Sequence, residues 1–274
     1  MSRDPDLIIR DFKNYLLQKL GSSINGIYII GSYALNDFNN HLSDIDFIVS
    51  IKENFSYEKR LIIDTIHRKI EAAGSQPNLN GIYIKEHLLG KTSLEIDQLT
   101  YFHEGVLKTD FNKENYYEIT PITWAELKHH RAKVYEAEAL EIAIHLEWKK
   151  VDQYMFENIN TYWKKWLNKS RDVRHPYYYQ TLFRVSENAW CVAGVSRQLY
   201  SLLEEKITSK RQACEYFLDK VPAAYTAILQ DTIHYRKGLK TRSSWVQKRE
   251  TLAYLEYTIA KFNQIFEEKY GLGN

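Results

Sequence analysis

Residues 26–51 constrain the fold of this chain more than any other segment. Two apolar runs, at 27–30 and 47–49, predict two buried strands, and Gly31-Ser32 closes the first run with a turn. A glycine in such a turn lets backbone amides come close to a phosphate group. The segment therefore predicts a strand, a small polar turn suited to phosphate, and a second strand.

Asp44 and Asp46 stand one residue apart at the start of the second run. Positions i and i+2 of an extended strand face one side, so the two carboxylates should project together, with Ile45 and Phe47 on the other side. Neighbouring carboxylates repel each other unless a cation lies between them, and Mg²⁺ is the oxygen-seeking ion that also bridges to phosphates. The pair predicts a magnesium site. The alternative is a solvated loop in which aspartate serves as a turn former.

The composition narrows the class of protein. A hydrophobic content of 44% and a charged content of 26% are typical of a globular chain, and a net charge of +2 gives no overall basicity for nucleic-acid binding. Cys191 and Cys214 are the two cysteines, so no disulfide framework is expected. No signal-peptide pattern and no run long enough to span a bilayer are found. We expect a soluble cytoplasmic protein without membrane or nucleic-acid partners.

The periodicity of apolar residues changes along the chain. The first half predicts helices at 6–20 and 55–73 and strands at 82–84 and 94–99, which is an α/β (α+β) domain with a small mixed sheet. The second half predicts helices only, at 136–166, 178–203, 210–218, 224–235 and 243–270, with Thr208 or Ser209 as the N-cap of the third. We expect two domains, residues 1–140 and an all-α helical bundle at 141–274.

The first half resembles the nucleotidyltransferase superfamily. The resemblance rests on a strand, Gly31-Ser32, a spacer, and Asp44 and Asp46 before an apolar strand. Members of that superfamily use the paired aspartates to hold Mg²⁺ on a nucleoside triphosphate. The resemblance thus implies that Asp44 and Asp46 are metal ligands, for two Mg²⁺ ions, and that Gly31 and Ser32 contact the nucleotide.

The second half resembles the helical domain of aminoglycoside (3'')(9)-type adenylyltransferases. The segments that carry this resemblance are NTYWKKWL (160–167), WCVAGVSRQLYSLLEEKITSKRQACEYFLDKVP (190–222) and AILQDTIHYR (227–236). Those enzymes transfer AMP from ATP to a hydroxyl of streptomycin or spectinomycin. The resemblance covers almost the whole chain and implies an antibiotic-resistance enzyme whose partners are ATP and a small-molecule acceptor, and we expect it to act as a monomer.

Further positions match functional residues of that family. Glu95, in the segment LEID, matches the general base, and its spacing from Asp97 would put both on one face of the predicted strand. Arg197 and Lys210 match basic residues that contact the triphosphate. Tyr235 matches a tyrosine near the nucleotide if one residue is skipped.

The acceptor is less well defined by the sequence. Glu187 matches an acidic residue of the interdomain cleft, and Tyr178 belongs to an aromatic segment suited to an acceptor pocket, where cationic aminoglycosides favour acids. Relatives that accept streptomycin carry a tryptophan and an aspartate where this chain has Tyr116 or Tyr117 and Phe183. Spectinomycin or another hydroxylated compound is therefore at least as good a candidate for the acceptor as streptomycin.

Two alternatives keep the fold and change the function. The same active site could transfer a nucleotide to a protein or to the 3'-end of an RNA, although a net charge of +2 does not indicate the basic groove that RNA binding requires. A nucleotide-binding sensor without catalysis is the other alternative, and the set of Asp44, Asp46 and Glu95 argues against it.

Overall fold

The computed structural model of the chain describes residues 3–74, 77–103, 106–108, 118–137 and 144–271. The residue contacts divide the chain into two units, residues 1–146 and residues 147–274.

The first unit contains both helices and strands. They are α1 (Pro5–Leu20), β1 (Ile24–Ile30), α2 (Gly31–Ala34), β2 (Ile45–Ile51), α3 (Tyr57–Ala72), β3 (Leu79–Lys85), β4 (Thr100–His103), β5 (Val106–Lys108), α4 (Pro121–His129) and β6 (Ala132–Glu136). The strands form a sheet in the order β5-β4-β3-β2-β1-β6. Strands β2 and β3 run parallel, joined through α3, and the other neighbouring pairs are antiparallel. The predicted α/β domain with a mixed sheet is confirmed.

Both faces of this sheet are covered by apolar side chains. Phe47 and Val49 of β2 pack in one cluster with Phe12 of α1, whereas Ile48 packs on the opposite face in a cluster with Trp124 of α4. This alternation is the period of two that a strand imposes on its side chains. Strand β2, which carries the second predicted carboxylate, is therefore fixed by packing on both sides.

The prediction of a strand at residues 94–99 is wrong. Residues Ser93–Glu95 form a 3-10 turn, and β4 begins later, at Thr100. The backbone N–H of Thr92 donates to Glu95 Oε2 (2.8 Å), and the Thr92 hydroxyl donates to the same oxygen (2.9 Å). This capping box closes the turn, so Glu95 and Asp97 do not share a strand face.

The helix predicted from residue 136 begins later than expected. Glu136 ends β6, which pairs with β1 in the register Gly26 to Glu136 and Ile27 to Tyr135, and the first described helix of the second unit begins at Trp148. The edge of β1 offers backbone hydrogen bonds to Ala132–Glu136, so Glu136, the first residue of the predicted helix, is the last residue of a strand. Residues 138–143 of the predicted helix lie outside the described residues.

The described part of the second unit is helical, as predicted. Its elements are α5 (Trp148–Asn158), a π-helical turn (Ile159–Trp163), α6 (Lys164–Arg171), α7 (Pro176–Phe183), α8 (Val185–Glu204), α9 (Lys210–Phe217), α10 (Thr226–Arg236) and α11 (Ser244–Tyr270). Helix α8 packs against α9, α10 and α11. Among the helices of the described residues, none combines the length and apolarity that a membrane crossing requires.

The second helix predicted for this unit is interrupted at Arg184, which separates α7 from α8 with an extended backbone (φ −121°, ψ 112°). Side chains from elsewhere bind the last carbonyls of α7. Asn188 Nδ2 donates to the Thr181 carbonyl (2.9 Å), and Ser244 Oγ donates to the Leu182 carbonyl (2.8 Å). Because these carbonyls gain partners outside the helix, α7 ends without proline or glycine, the usual sequence signals.

Close packing also fixes α8 against the π-helical turn. The Trp163 side chain is 4% exposed, and its ring centroid lies 4.8 Å from that of Trp190. A Cβ added to Gly194 would lie 2.5 Å from Cζ2 of Trp163. The absence of a side chain at residue 194 therefore lets the indole pack directly on the α8 backbone.

We expect Gly194→Ala to destabilise the protein by about 1–3 kcal/mol, because the new methyl group forces the buried indole of Trp163 to move. The measurement is the urea midpoint followed by tryptophan fluorescence. Gly21→Ala is the control, since Gly21 has helical dihedrals and open space around a new Cβ. Equal midpoints for the two variants would contradict the packing argument.

Candidate active site

Gly31 and Ser32 form the turn that closes β1. Gly31 has a φ of +65°, a left-handed conformation that glycine adopts without strain. The Leu35 N–H donates to the Gly31 carbonyl (3.0 Å), and the Asp37 N–H donates to the Ser32 carbonyl (2.9 Å). The predicted polar turn is therefore the one-turn helix α2, placed directly at the end of a buried strand.

Asp46 lies within β2, opposite Ile30 of β1 in the ladder. Its neighbours Ile45 and Phe47 are 0% and 1% exposed, so the half-buried Asp46 side chain points to the opposite side, as predicted. A Cβ added to Gly31 would overlap Oδ2 of Asp46. The structure thus brings Gly31 and Asp46 together, with the carboxylate directly beside the glycine Cα.

Asp44 precedes β2 by one residue and is exposed. The turn before it is closed by Ser43, whose N–H donates to the Asn39 carbonyl (2.8 Å) and whose Oγ accepts from the Asn39 N–H (3.2 Å). Asp46 is held in the sheet ladder, whereas Asp44 projects from the end of this turn. The two carboxylates therefore differ in how firmly the backbone fixes them.

The donor set can be tested against the metal that the sequence implies. Two carboxylates supply hard oxygen ligands, and Gly31 has no side chain to fill the space beside Oδ2 of Asp46. In the part of the chain that the structure describes, no group of three or more His, Cys, Asp or Glu residues is arranged to hold a metal ion. Mg²⁺ is commonly bound by one or two carboxylates together with substrate phosphates, so Asp44 and Asp46 fit Mg²⁺ that arrives with a triphosphate.

Glu95 is engaged by its own turn. Besides its bonds from Thr92, Glu95 Oε1 lies 3.3 Å from Lys91 Nζ. The backbone N–H of Thr92, then its hydroxyl, and then Lys91 lower the pKa of Glu95, so this carboxylate is ionised at neutral pH. Thr92 and Lys91 were not predicted from the sequence as partners of Glu95. The T-x-x-E spacing that is typical of a capping box would have identified Thr92 as a hydrogen-bond partner of Glu95.

Three predicted nucleotide-binding residues lie on helices that pack together. Arg197 is on α8, Lys210 opens α9, and the half-buried Tyr235 is in the last turn of α10. These helices contact one another pairwise. The predicted N-cap of α9 is confirmed as Ser209, whose Oγ accepts from the Gln212 N–H (3.1 Å).

The two predicted acceptor-binding residues lie on either side of the break between α7 and α8. Glu187 is half-buried in the first turn of α8. Its charge acts on Tyr162, whose pKa is raised chiefly by burial and further by the charges of Tyr177 and Glu187. Lys248 Nζ lies 2.9 Å from the centroid of the Tyr178 ring and donates to the Tyr178 carbonyl (2.9 Å). One face of this ring therefore already binds a cation, a contact that the sequence did not reveal.

The residues at which the chain departs from streptomycin-accepting relatives are only partly described. Phe183 ends α7 and is 71% exposed. It is not on the same helix as Glu187, because Arg184 separates α7 from α8. Tyr116 and Tyr117 lie outside the described residues.

Family models match both halves of the chain. A nucleotidyltransferase domain matches residues 9–116, and the C-terminal domain of aminoglycoside adenylyltransferases matches residues 156–261. The chain belongs to the aminoglycoside adenylyltransferase family. This adenylyltransferase is accordingly an enzyme, with a nucleotidyltransferase domain followed by the helical domain of the family, and the resemblance seen in the sequence is confirmed.

A solved structure shares the fold of this adenylyltransferase. The spectinomycin adenyltransferase AAD(9) from Enterococcus faecialis, in a crystal structure with ATP and spectinomycin, is similar with a TM-score of 0.66 over 94% of this chain and 98% of that chain. The sequence identity is 14%, so the likeness establishes the fold and leaves the substrate open. A search of curated proteins found no match.

We expect Gly31→Ala to weaken binding of ATP in the presence of Mg²⁺ by at least roughly tenfold, because the methyl group displaces a carboxylate that would hold the metal. The positive φ adds a backbone cost of about 1–2 kcal/mol. Isothermal titration calorimetry measures the affinity, and scanning calorimetry measures the stability.

Gly271→Ala is the matched control for the backbone cost. Its φ is +68°, and no atom lies within 4 Å of a new Cβ. It should lose stability through strain and keep its affinity for ATP. If both variants bind ATP equally well, the Gly31–Asp46 contact does not position the carboxylate.

Proposed function

We propose that this protein is an ATP- and Mg²⁺-dependent O-adenylyltransferase that transfers AMP to a hydroxyl of an aminoglycoside or aminocyclitol antibiotic and thereby confers resistance. The observation that carries the proposal is the contact of Gly31 with Asp46, since a glycine turn beside a carboxylate is suited to a phosphate and a metal ion. Membership of the family supplies the reaction class. The presence of ATP and spectinomycin in the AAD(9) structure supports the choice of co-substrate and acceptor.

In the first unit, Asp44 and Asp46 would hold Mg²⁺ on the triphosphate. Mg²⁺, when bound, neutralises phosphate oxygens and aligns the attacking and leaving oxygens. The backbone of Gly31 and the Ser32 hydroxyl would contact the terminal phosphates. Because Asp46 is fixed in a sheet covered on both faces, its carboxylate needs little reorganisation when substrate binds.

In the second unit, Arg197 and Lys210 would bind phosphate oxygens, and Tyr235 would contact the nucleotide. The guanidinium of Arg197 offers a planar fork of donors, and the ammonium of Lys210 offers a compact charge. Both have the chemistry that a polyphosphate requires.

Glu95 would act as the general base. The acceptor hydroxyl oxygen forms a bond to the α-phosphorus of ATP, the bond to the bridging oxygen breaks, and pyrophosphate leaves with that electron pair. The hydroxyl proton passes to Glu95, whose lowered pKa keeps it ionised and able to accept at neutral pH. To reach the acceptor, Glu95 must exchange its contacts with Thr92 and Lys91 for the hydroxyl.

Glu187 and Tyr178 would bind the acceptor. The Glu187 carboxylate would pair with an ammonium group, since charge-assisted hydrogen bonds are the strong ones. Phe183 offers an exposed apolar ring where streptomycin-accepting relatives have an aspartate. We therefore favour spectinomycin over streptomycin as the acceptor.

The reaction is tested by incubating the protein with ATP labelled at the α-phosphate, Mg²⁺, and spectinomycin or streptomycin. We expect labelled AMP-spectinomycin and pyrophosphate. Asp46→Asn should reduce transfer to background without lowering the melting temperature, because the amide is a poor Mg²⁺ ligand of similar shape. Asp64→Asn, at a surface pair with Arg68 (2.6 Å), is the control and should transfer AMP normally.

Failure to modify any aminocyclitol would overturn the acceptor class. Tight binding of ATP that is never consumed would instead favour a nucleotide sensor. A fully active Asp46→Asn variant would remove Asp46 from the metal site.

Glu95→Gln should lower kcat by about 10²–10⁴-fold and leave ATP affinity nearly unchanged, since a general base acts on the proton and not on the nucleotide. Thr92→Val is the control, because it removes a hydrogen bond to Glu95 and keeps the carboxylate. It should retain most of the activity. Loss of ATP affinity alone in Glu95→Gln would contradict a role as base.

A further inference from the structure

A row of three residues crosses three strands near the start of β1, at the end of the sheet away from Asp46. Gly26 of β1 lies opposite Ser50 of β2 on one side and opposite Glu136 of β6 on the other. Residues opposite each other in an antiparallel ladder have Cα atoms about 4.5–5.5 Å apart and side chains on the same face. Because the central residue is glycine, the middle of this row has no side chain of its own.

The hydroxyl of Tyr28 occupies the middle of the row. Tyr28 is 0% exposed and packs on the sheet face that carries Ile48, and alternation along β2 puts Ser50 on that same face. A Cβ added to Gly26 would overlap Oη of Tyr28. The phenol therefore lies back over Gly26, with its hydroxyl between the side chains of Ser50 and Glu136.

Three buried oxygens meet here without partners. Tyr28 Oη, Ser50 Oγ and Glu136 Oε1 are all buried, and none of them has a hydrogen-bond partner among the described residues. The other oxygen of this carboxylate, Glu136 Oε2, pairs with Lys133 Nζ (3.2 Å). Buried polar groups in folded proteins are almost always bonded, so three unpartnered oxygens around one glycine call for a shared partner.

The protonation of these groups determines what that partner must offer. Burial, and then the Glu136 carboxylate, raise the pKa of Tyr28 well above its usual range, so the phenol keeps its proton at neutral pH. The phenol and the carboxylate are thus close together, although no hydrogen bond of normal geometry joins them. The hydroxyls of Tyr28 and Ser50 are two donors that lack an acceptor, and Glu136 Oε1 is an acceptor that lacks a donor.

A water molecule matches this set of groups. It can accept the hydrogens of both hydroxyls and donate one of its own to Glu136 Oε1, which gives it the three hydrogen bonds that a buried water usually makes. A metal ion offers no acceptor for the two hydroxyl hydrogens. With hydrogen bonds of about 2.8 Å, one water bridges oxygens that are up to about 5.5 Å apart, so the three groups need not touch one another.

The backbone ladders of β1 are irregular at the same place. The pairing of β1 with β2 shifts register between Ile24 and Gly26, and its pairing with β6 shifts between Ile27 and Tyr28. An irregularity of this kind leaves a residue unpaired and disrupts the ladder locally. Side chains that bind a common water would link the three strands where their backbone hydrogen bonds are interrupted.

We propose that Tyr28, Ser50 and Glu136 form a buried site that binds one water molecule, through which β1 is joined to β2 and β6. The site is independent of the proposed reaction, and none of its residues belongs to the candidate active site. The water opposes a slip of β1 against β2, and the contact of Gly31 with Asp46 depends on that register.

The stability of Tyr28→Phe distinguishes a hydroxyl that binds water from one that is unpaired, because the ring is retained. Loss of an unpaired buried hydroxyl leaves stability unchanged or raises it. We expect instead a lower urea midpoint, with the unfolding equilibrium constant raised by about 2- to 10-fold, as for a lost hydrogen bond. Tyr57→Phe is the control, since Tyr57 of α3 is 65% exposed, and it should unfold as the wild type does.

A double-mutant cycle tests whether the two hydroxyls share one water. Tyr28→Phe and Ser50→Ala together should destabilise the protein less than the sum of the two single changes, because either change alone disturbs the same water. Tyr83→Phe with Ser50→Ala is the comparison pair. Tyr83 packs on the opposite face of the sheet and binds His67 (2.7 Å), so these two effects should add. Additive effects of Tyr28→Phe and Ser50→Ala would overturn the shared site.

A high-resolution crystal structure of the wild-type protein needs no variant to fold. It should show one water within about 2.6–3.2 Å of Tyr28 Oη, Ser50 Oγ and Glu136 Oε1. A direct hydrogen bond from Tyr28 to Glu136 without a water would overturn the proposal, as would six or more oxygens at about 2.3–2.6 Å from a metal ion. An unchanged or higher urea midpoint in Tyr28→Phe would overturn it equally.

Discussion

The candidate site depends on the register between β1 and β2. Ile30 lies opposite Asp46 in the antiparallel ladder, so the residue after Ile30 meets the carboxylate of Asp46. A shift of one residue would move Asp46 to the face on which Phe47 and Val49 pack and would move Phe47 to the opposite face, because side chains alternate with a period of two. The apolar clusters on the two faces of the sheet oppose such a shift. The geometry of the Gly31–Asp46 contact is thus set by hydrophobic packing.

Elements with strong local signals could be predicted from the sequence. The helices at α1 and α3 and the strands β1 and β2 follow from apolar periodicity, which reports burial directly. The wrong predictions concern helix ends that are set by residues distant in the sequence. Glu136, the first residue of a predicted helix, pairs instead with the edge of β1. Asn188 and Ser244 bind the last carbonyls of α7. The turn at Glu95 is different, since its T-x-x-E capping signal was present in the sequence and was overlooked.

The same distinction applies to the site. Asp44, Asp46 and Gly31 lie close together in the chain, so their chemistry could be inferred from spacing alone. Arg197 and Lys210 are distant from them in the chain and were predicted only by family resemblance, because nothing in their local sequence distinguishes them from surface cations.

The contacts of Glu95 bear on the role of general base that we propose for it. Its carboxylate caps the turn at Ser93–Glu95 and contacts Lys91, yet the side chain is about half exposed (48%). Water can replace such contacts, so a bound acceptor can draw the carboxylate away at small cost. The hydrogen bonds from Thr92 lower the pKa of Glu95 and make it a weaker base while the cap persists. Leaving the cap would remove those bonds and raise the basicity of the carboxylate as it reached an acceptor hydroxyl. In the proposed mechanism, the capping turn would therefore couple the position of the base to its strength.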